Sequence, residues 1–170
     1  ETVRPSFPLI ENVIIENNHS HNGGGLSFFR VVGPVLENVL IRNNTASAFG
    51  GGIFSYVSTI TMTNVTITEN ENIDAQGGGM MLAASQGIFD NMIITNNISG
   101  GHGGGVWTNN SGGQGNHSQG WKMKNSIISG NVSAMFGGGI NFAWSHSTLI
   151  NCIISDNQSN WGGGGINGLE

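Results

Sequence analysis

Side chains able to do acid–base, nucleophilic or metal chemistry are sparse in this 170-residue chain: ten Asp and Glu, five Lys and Arg, five His and one Cys. Hydrolysis of a glycosidic bond needs two carboxylates roughly 5 to 9.5 Å apart, and eliminative cleavage needs a base beside acidic metal ligands. Glu11 and Glu37 are the acids best placed to approach each other, about 5 Å apart if their segments pair as neighbouring strands. The pair has no basic side chain and no aromatic platform beside it, and the only lysines, Lys122 and Lys124, lie far along the chain. His117 and His146 occupy corresponding corners of successive units, but two imidazoles without a carboxylate or thiolate read as solvated surface residues. Asp74 lies on a turn and reads the same way. Cys152 can form no internal disulfide and reads as a small buried hydrophobe. The expectation is a chain with no catalytic residue, no metal site and no cofactor.

Amides are the abundant functional group, with 23 Asn, and glycine is the abundant backbone group, with 29. Both are periodic. Glycine runs fall at 23–25, 50–52, 77–79, 103–105, 137–139 and 162–165, each followed by an apolar residue: Leu26, Ile53, Met80, Val106, Ile140 and Ile166. Between them sits a block Asn-x-x-Ile-x-x-Asn. Its first Asn is Asn12, Asn38, Asn64, Asn91, Asn125 or Asn151, and its second is Asn18, Asn44, Asn70, Asn97, Asn131 or Asn157. A unit of about 26 residues is too short for two helices, no segment has helical periodicity, and glycine triplets cost a helix about 1 kcal/mol per residue. Apolar positions alternate within runs of three to five residues instead, which are strands. Propeller blades need about 40 residues, so the units stack as coils of a solenoid.

The predicted fold is therefore all-β: a right-handed parallel β-helix of six coils with three short strands each. It forms one domain. Residues 1–7 are a leader, the coils span 8–33, 34–59, 60–86, 87–120, 121–146 and 147–170, and 109–120 is a loop insertion. In such a stack each residue lies above its counterpart, so both Asn columns can form internal amide ladders at left-handed bends. The Ile column (Ile15, Ile41, Ile67, Ile94, Ile128, Ile154) and the column two residues before it point into the core.

The column between points outward and reads Ile14, Leu40, Thr66, Ile93, Ile127, Ile153. Its five apolar members form a stripe that something should cover, a lateral interface. If the residue after each glycine run points inward, Gly25, Gly52, Gly79, Gly105, Gly139 and Gly165 face outward as a bare strip beside exposed Phe54, Tyr56 and Trp107. That strip suits a sugar chain or a second solenoid. The alternative is that the glycines only ease a tight turn. Glu16, Arg42, Thr68, Thr95, Ser129 and Ser155 form another outward column, too irregular in its hydroxyls for an ice-binding array.

Charged residues are 9% of the chain, against about 25% in an ordinary domain, and the formal charge is −5 with no basic cluster. That disfavours nucleic acid as a partner. No apolar run reaches the ~18–20 residues of a spanning helix, so membrane insertion is not expected, and the start at Glu1 reads as a mature or excised piece. Eight Asn-x-Ser/Thr sequons follow from the Asn and Ser content.

The pairing of Ile-x-x-Asn with Gly-Gly-Gly-[Ile/Leu/Val/Met] resembles the repeats of the chlamydial polymorphic outer-membrane proteins. It is also similar to right-handed, pectate-lyase-like β-helix regions of bacterial secreted surface proteins. The resemblance runs from Pro8 to Gly168 and implies secretion, an extracellular or cell-surface location and a passenger or stalk role with adhesion. The expected function is a structural rod or fibre subunit that associates end to end and laterally, or continues into neighbouring coils. The alternatives are an adhesin or glycan-binding module using the glycine strip and the aromatics, and a polysaccharide-active enzyme.

Overall fold

The computed structural model describes residues 8–109 and 120–169. The leader 1–7, most of the 109–120 insertion and His117 lie outside the described residues. The first coil is β1 (Leu9–Glu11), β2 (Ile14–Glu16), β3 (His19–Asn22) and β4 (Leu26–Phe29). The second is β5 (Val32–Glu37), β6 (Leu40–Arg42), β7 (Thr45–Phe49) and β8 (Ile53–Tyr56). The third is β9 (Thr59–Thr63), β10 (Thr66–Thr68), β11 (Glu71–Asn72) and β12 (Met80–Ala83). The fourth is β13 (Gln86–Asp90), β14 (Ile93–Thr95), β15 (Ile98–Ser99) and β16 (Val106–Asn109). The fifth is β17 (Trp121–Lys124), β18 (Ile127–Ser129), β19 (Val132–Phe136) and β20 (Ile140–Ala143). The sixth is β21 (Thr148–Ile150), β22 (Ile153–Ser155), β23 (Gln158–Trp161) and β24 (Ile166–Leu169).

Corresponding strands of successive coils pair in parallel, which gives four six-stranded sheets: the first through β1, the second through β2, the third through β3 and the fourth through β4. The chain is a six-turn parallel β-solenoid. Its coils carry four strands rather than the three expected, for a local reason. Asn12, Asn38, Asn64, Asn91, Asn125 and Asn151 all take φ between 52 and 56°, so a single left-handed residue cuts the apolar run Leu9–Glu16, and its copies, into two strands. Strands of the first sheet begin at Val32, Thr59 and Gln86, slightly before the coil starts read at 34, 60 and 87.

The second corner is left-handed as well, but at Asn17, Asn43, Glu69, Asn96, Gly130 and Asp156, the residue before the second Asn column. That column is thereby freed to turn its amides inward. A further corner, after the fourth sheet, puts Arg30, Val57, Ala84 and Trp144 at φ between 46 and 55°. Nothing in those residue types marks it, and a β-branched Val at positive φ is strained by order 1–3 kcal/mol.

The core is a set of columns. Ile41, Ile67, Ile94 and Ile128 have no exposed surface, and Val39, Val65 and Met92 are as deeply buried. Each such Ile contributes about 1.5–3 kcal/mol by burial. Trp121 fills the core of the fifth coil between Phe89 and Phe142, with ring centroids 5.9 and 5.7 Å away. Cys152 packs against this core, half-buried.

Candidate functional site

The two Asn columns differ in kind. The second column is an interior ladder: Asn18 Nδ2 donates to Asn44 Oδ1 at 3.0 Å, and the pattern repeats through Asn70, Asn97 and Asn131 to Asn157 at 2.9–3.0 Å. From Asn44 to Asn157 each Oδ1 also accepts the preceding rung's backbone N–H, and each Nδ2 also donates back to an Ile carbonyl, as Asn97 does to Ile67. The first column is on the outside. Asn38, Asn64 and Asn91 donate to the coil before them, the reverse direction, at 2.7–3.2 Å, and Asn12, Asn38, Asn64, Asn91, Asn125 and Asn151 are exposed. This corrects the expectation of two internal ladders. The outer ladder breaks at Asn125, whose amide goes to Asp90 Oδ1 instead of Asn91.

The glycine strip is also corrected. Gly52, Gly79, Gly105 and Gly139 are buried, and Gly25 and Gly165 are half-buried at the two ends. A Cβ on Gly79 would stand 2.6 Å from Gly105 O and 3.1 Å from Asn97 Nδ2, and one on Gly52 would stand 3.1 Å from Asn70 Nδ2. The glycines therefore face the interior amides. They bend just before the strand, so counting alternation back from Ile53 or Met80 misassigns their side. The first glycine of each run, such as Gly50 with φ 65°, makes the left-handed turn itself.

The outward apolar column is on the surface as read: Ile14 and Ile153 are 60% exposed, Ile93 and Ile127 are 40%, and Leu40 and Thr66 are half-buried. The neighbouring outward column closes on itself through Glu16–Arg42 at 2.6 Å, Thr95 to Thr68 at 3.1 Å and Ser155 to Ser129 at 3.2 Å.

Glu11 and Glu37 are in register on the outer face of the first sheet, three and two rungs below Asp90. Asp90 is paired with Lys124 at 2.9 Å, and this ammonium, with the Asn125 amide, holds its carboxyl below the usual carboxylate range. His146 and Asp74 are exposed. Among the described residues no group of three or more His, Cys, Asp or Glu could hold a metal ion, and no helix is long and apolar enough to cross a membrane.

One concave feature of the surface lies on the outer face of the fourth sheet. Phe54 and Tyr56 project from β8, Met81 and Ala83 from β12, and Trp107 and Asn109 from β16, in register. Together with Asn22, Phe29, Phe49, Gln76 and Ala84 they line a groove of about 600 Å³. Phe54 is not exposed as expected: the Phe49 ring lies 6.3 Å away and leaves it 8% accessible. Phe29 stacks on Tyr56 at 5.2 Å with 15° between planes, and the Arg30 guanidinium lies 5.6 Å from the centre of the Phe29 ring. Phe29, Phe49 and Gln76 were not singled out in the sequence, although Phe29 and Tyr56 are one repeat apart and extending the outward columns would have shown them as neighbours. Next to the groove, the His102 ring stacks on Phe136 at 5.3 Å, and burial lowers the pKa of its imidazole.

Comparison with known proteins gives one family. The model of the Chlamydia polymorphic membrane protein (Chlamydia_PMP) repeat matches residues 38–56, from Asn38 through Gly50–Gly52 to Tyr56. No curated protein and no solved structure matches the chain. The chain is thus a parallel β-solenoid repeat protein, and one of its coils carries a repeat similar to those of the chlamydial polymorphic membrane proteins.

Proposed function

We propose that the segment is a rigid, non-catalytic rod of an extracellular or cell-surface protein that associates laterally and end to end. The observation that carries this reading is the outward column of the second sheet, Ile14 to Ile153, which is apolar in five of its six coils, with Thr66 in the third. It runs roughly 29 Å at ~4.8 Å per coil. Beside it the outer Asn ladder and the Glu16 column spend their polar groups on each other, so a partner meets a face with little left to desolvate. The repeat match at 38–56, to a family described as membrane proteins, supports a surface location.

End-to-end stacking has its own support. The inner ladder donates toward the following coil and the outer ladder toward the preceding one. The first coil therefore presents Asn18 Oδ1 and Asn12 Nδ2 where the last presents Asn157 Nδ2 and Asn151 Oδ1, a donor–acceptor match suited to a head-to-tail contact. Further coils of one polypeptide would meet the same groups.

Sedimentation velocity of the 170-residue segment at high micromolar concentration tests the lateral contact. Assemblies larger than a monomer should appear and should dissociate in Ile93→Lys and Ile127→Lys. A wild-type monomer, or assemblies indifferent to both substitutions, would refute lateral association.

A further inference from the structure

We infer that the groove on the outer face of the fourth sheet is a binding site for a neutral saccharide, a function that goes beyond the rod and does not depend on it. Its shape follows from one column. Ala83 stands in register between Tyr56 and Asn109, so the third coil projects a methyl where its neighbours project an aromatic ring and an amide. The gap spans two inter-strand steps, about 9.6 Å, and Ala84 at the adjoining corner does nothing to fill it. The resulting volume of about 600 Å³ is of the size that holds small ligands.

The chemistry of the walls selects the occupant. Tyr56, held by its stack on Phe29, and Trp107 bound the two ends of the gap with flat aromatic surface, and Met81 lines it between them. A sugar ring offers C–H faces to such surfaces and hydroxyls around its edge. Amides stand where the edge would be: Asn22 and Gln76 on the side of the third sheet, with Asn109 on the strand beyond. Among them the Gln76 amide is half-buried and offers two N–H donors and a carbonyl acceptor to ligand hydroxyls. A purely apolar occupant, such as an acyl chain or a row of aliphatic side chains, would bury the Gln76 amide without offering it a partner. None of the lining residues carries a carboxylate, an ammonium or a guanidinium, so nothing in the walls compensates a charged ligand.

The test is titration of the segment with a panel of neutral hexasaccharides (β-1,4-glucan, β-1,3-glucan, mannan and chitin oligomers) and with polygalacturonate as the anionic counterpart, read by calorimetry and by tryptophan fluorescence. At least one neutral hexasaccharide should bind saturably. Binding should weaken about tenfold or more in Trp107→Ala, which removes a wall, and in Ala83→Tyr, which fills the gap. Both side chains point away from the core, so thermal melts and circular dichroism should match the wild type. Gln76→Ala gives a third reading if either variant misfolds. Absence of binding by every neutral hexasaccharide at millimolar concentration, binding by polygalacturonate alone, or affinity unchanged in the variants would overturn the inference. A change of sedimentation in Ala83→Tyr would overturn it too, by showing that a second copy fills the groove. The Ile93→Lys and Ile127→Lys substitutions act on the second sheet, so loss of self-association and loss of saccharide binding are separately visible.

Discussion

An asparagine side chain has two donor hydrogens and an oxygen with two lone pairs, and at Asn44, Asn70, Asn97 and Asn131 all are used. Removing one such side chain strands its neighbours. Asn97→Ala takes away the acceptor of the Asn70 backbone N–H and of the Asn70 amide and a donor to the Ile67 carbonyl, at about 1–3 kcal/mol for each group left with no other partner. We expect a loss of about 3 kcal/mol or more by urea unfolding. Asn64 belongs to the outer ladder, where water can replace its two amide partners, and its φ of 54° is acceptable to glycine. Asn64→Gly should therefore cost less than about 1 kcal/mol. Equal losses in the two variants would show that the ladders do not differ as their burial implies.

At the scale of the elements, the glycine bends and the inner ladder are one device. The amides need room at the corner between the third and fourth sheets, and only a residue without a Cβ leaves it. Gly79→Ala drives a methyl against the Gly105 carbonyl and the Asn97 amide, and neither backbone nor ladder can retreat without breaking a rung. A loss of about 3 kcal/mol in thermal denaturation is expected, at the upper end for overpacking. Gly168 is the control, since nothing lies within 4 Å of a Cβ there. Gly168→Ala should be neutral or stabilising by a few tenths, through the unfolded chain. A tolerated Gly79→Ala would restore the bare outward strip.

Stacked coils interact with their neighbours alone, so stability in the whole molecule should be graded along its axis. The structure already shows the gradient. Ile41, Ile67, Ile94 and Ile128 are fully buried, Ile15 and Ile154 are half-buried, and Ile166 is 45% exposed where Ile140 has no accessible surface. Amide exchange of the 170-residue chain should be slowest at Ile67 and Ile94 and fastest at the first and sixth coils, by at least a factor of ten. Uniform protection would point to a fully cooperative rod, or to end coils covered by association.

The sequence by itself determined the solenoid, because a parallel stack forces like residues into columns and so writes its period into the chain: Asn12 to Asn151, Asn18 to Asn157, and Ile15 to Ile154 recur with the coil. It also determined which face of the second sheet is apolar, since Ile14 and Ile93 sit between inward neighbours within a regular strand, where alternation holds. Tertiary structure decided the rest. Which ladder is inside depended on left-handed residues one position away, at Asn17 and Asn43, that rotate Asn18 and Asn44 inward while leaving Asn12 and Asn38 outside. The glycine strip turned inward because a bend does not obey strand alternation. The groove was decided by Ala83, which says nothing on its own and matters only because register places it between Tyr56 and Asn109. Local pattern fixes a column's existence, whereas its side and its neighbours are set by corner dihedral angles that residue types such as Arg30, Val57 and Trp144 do not encode.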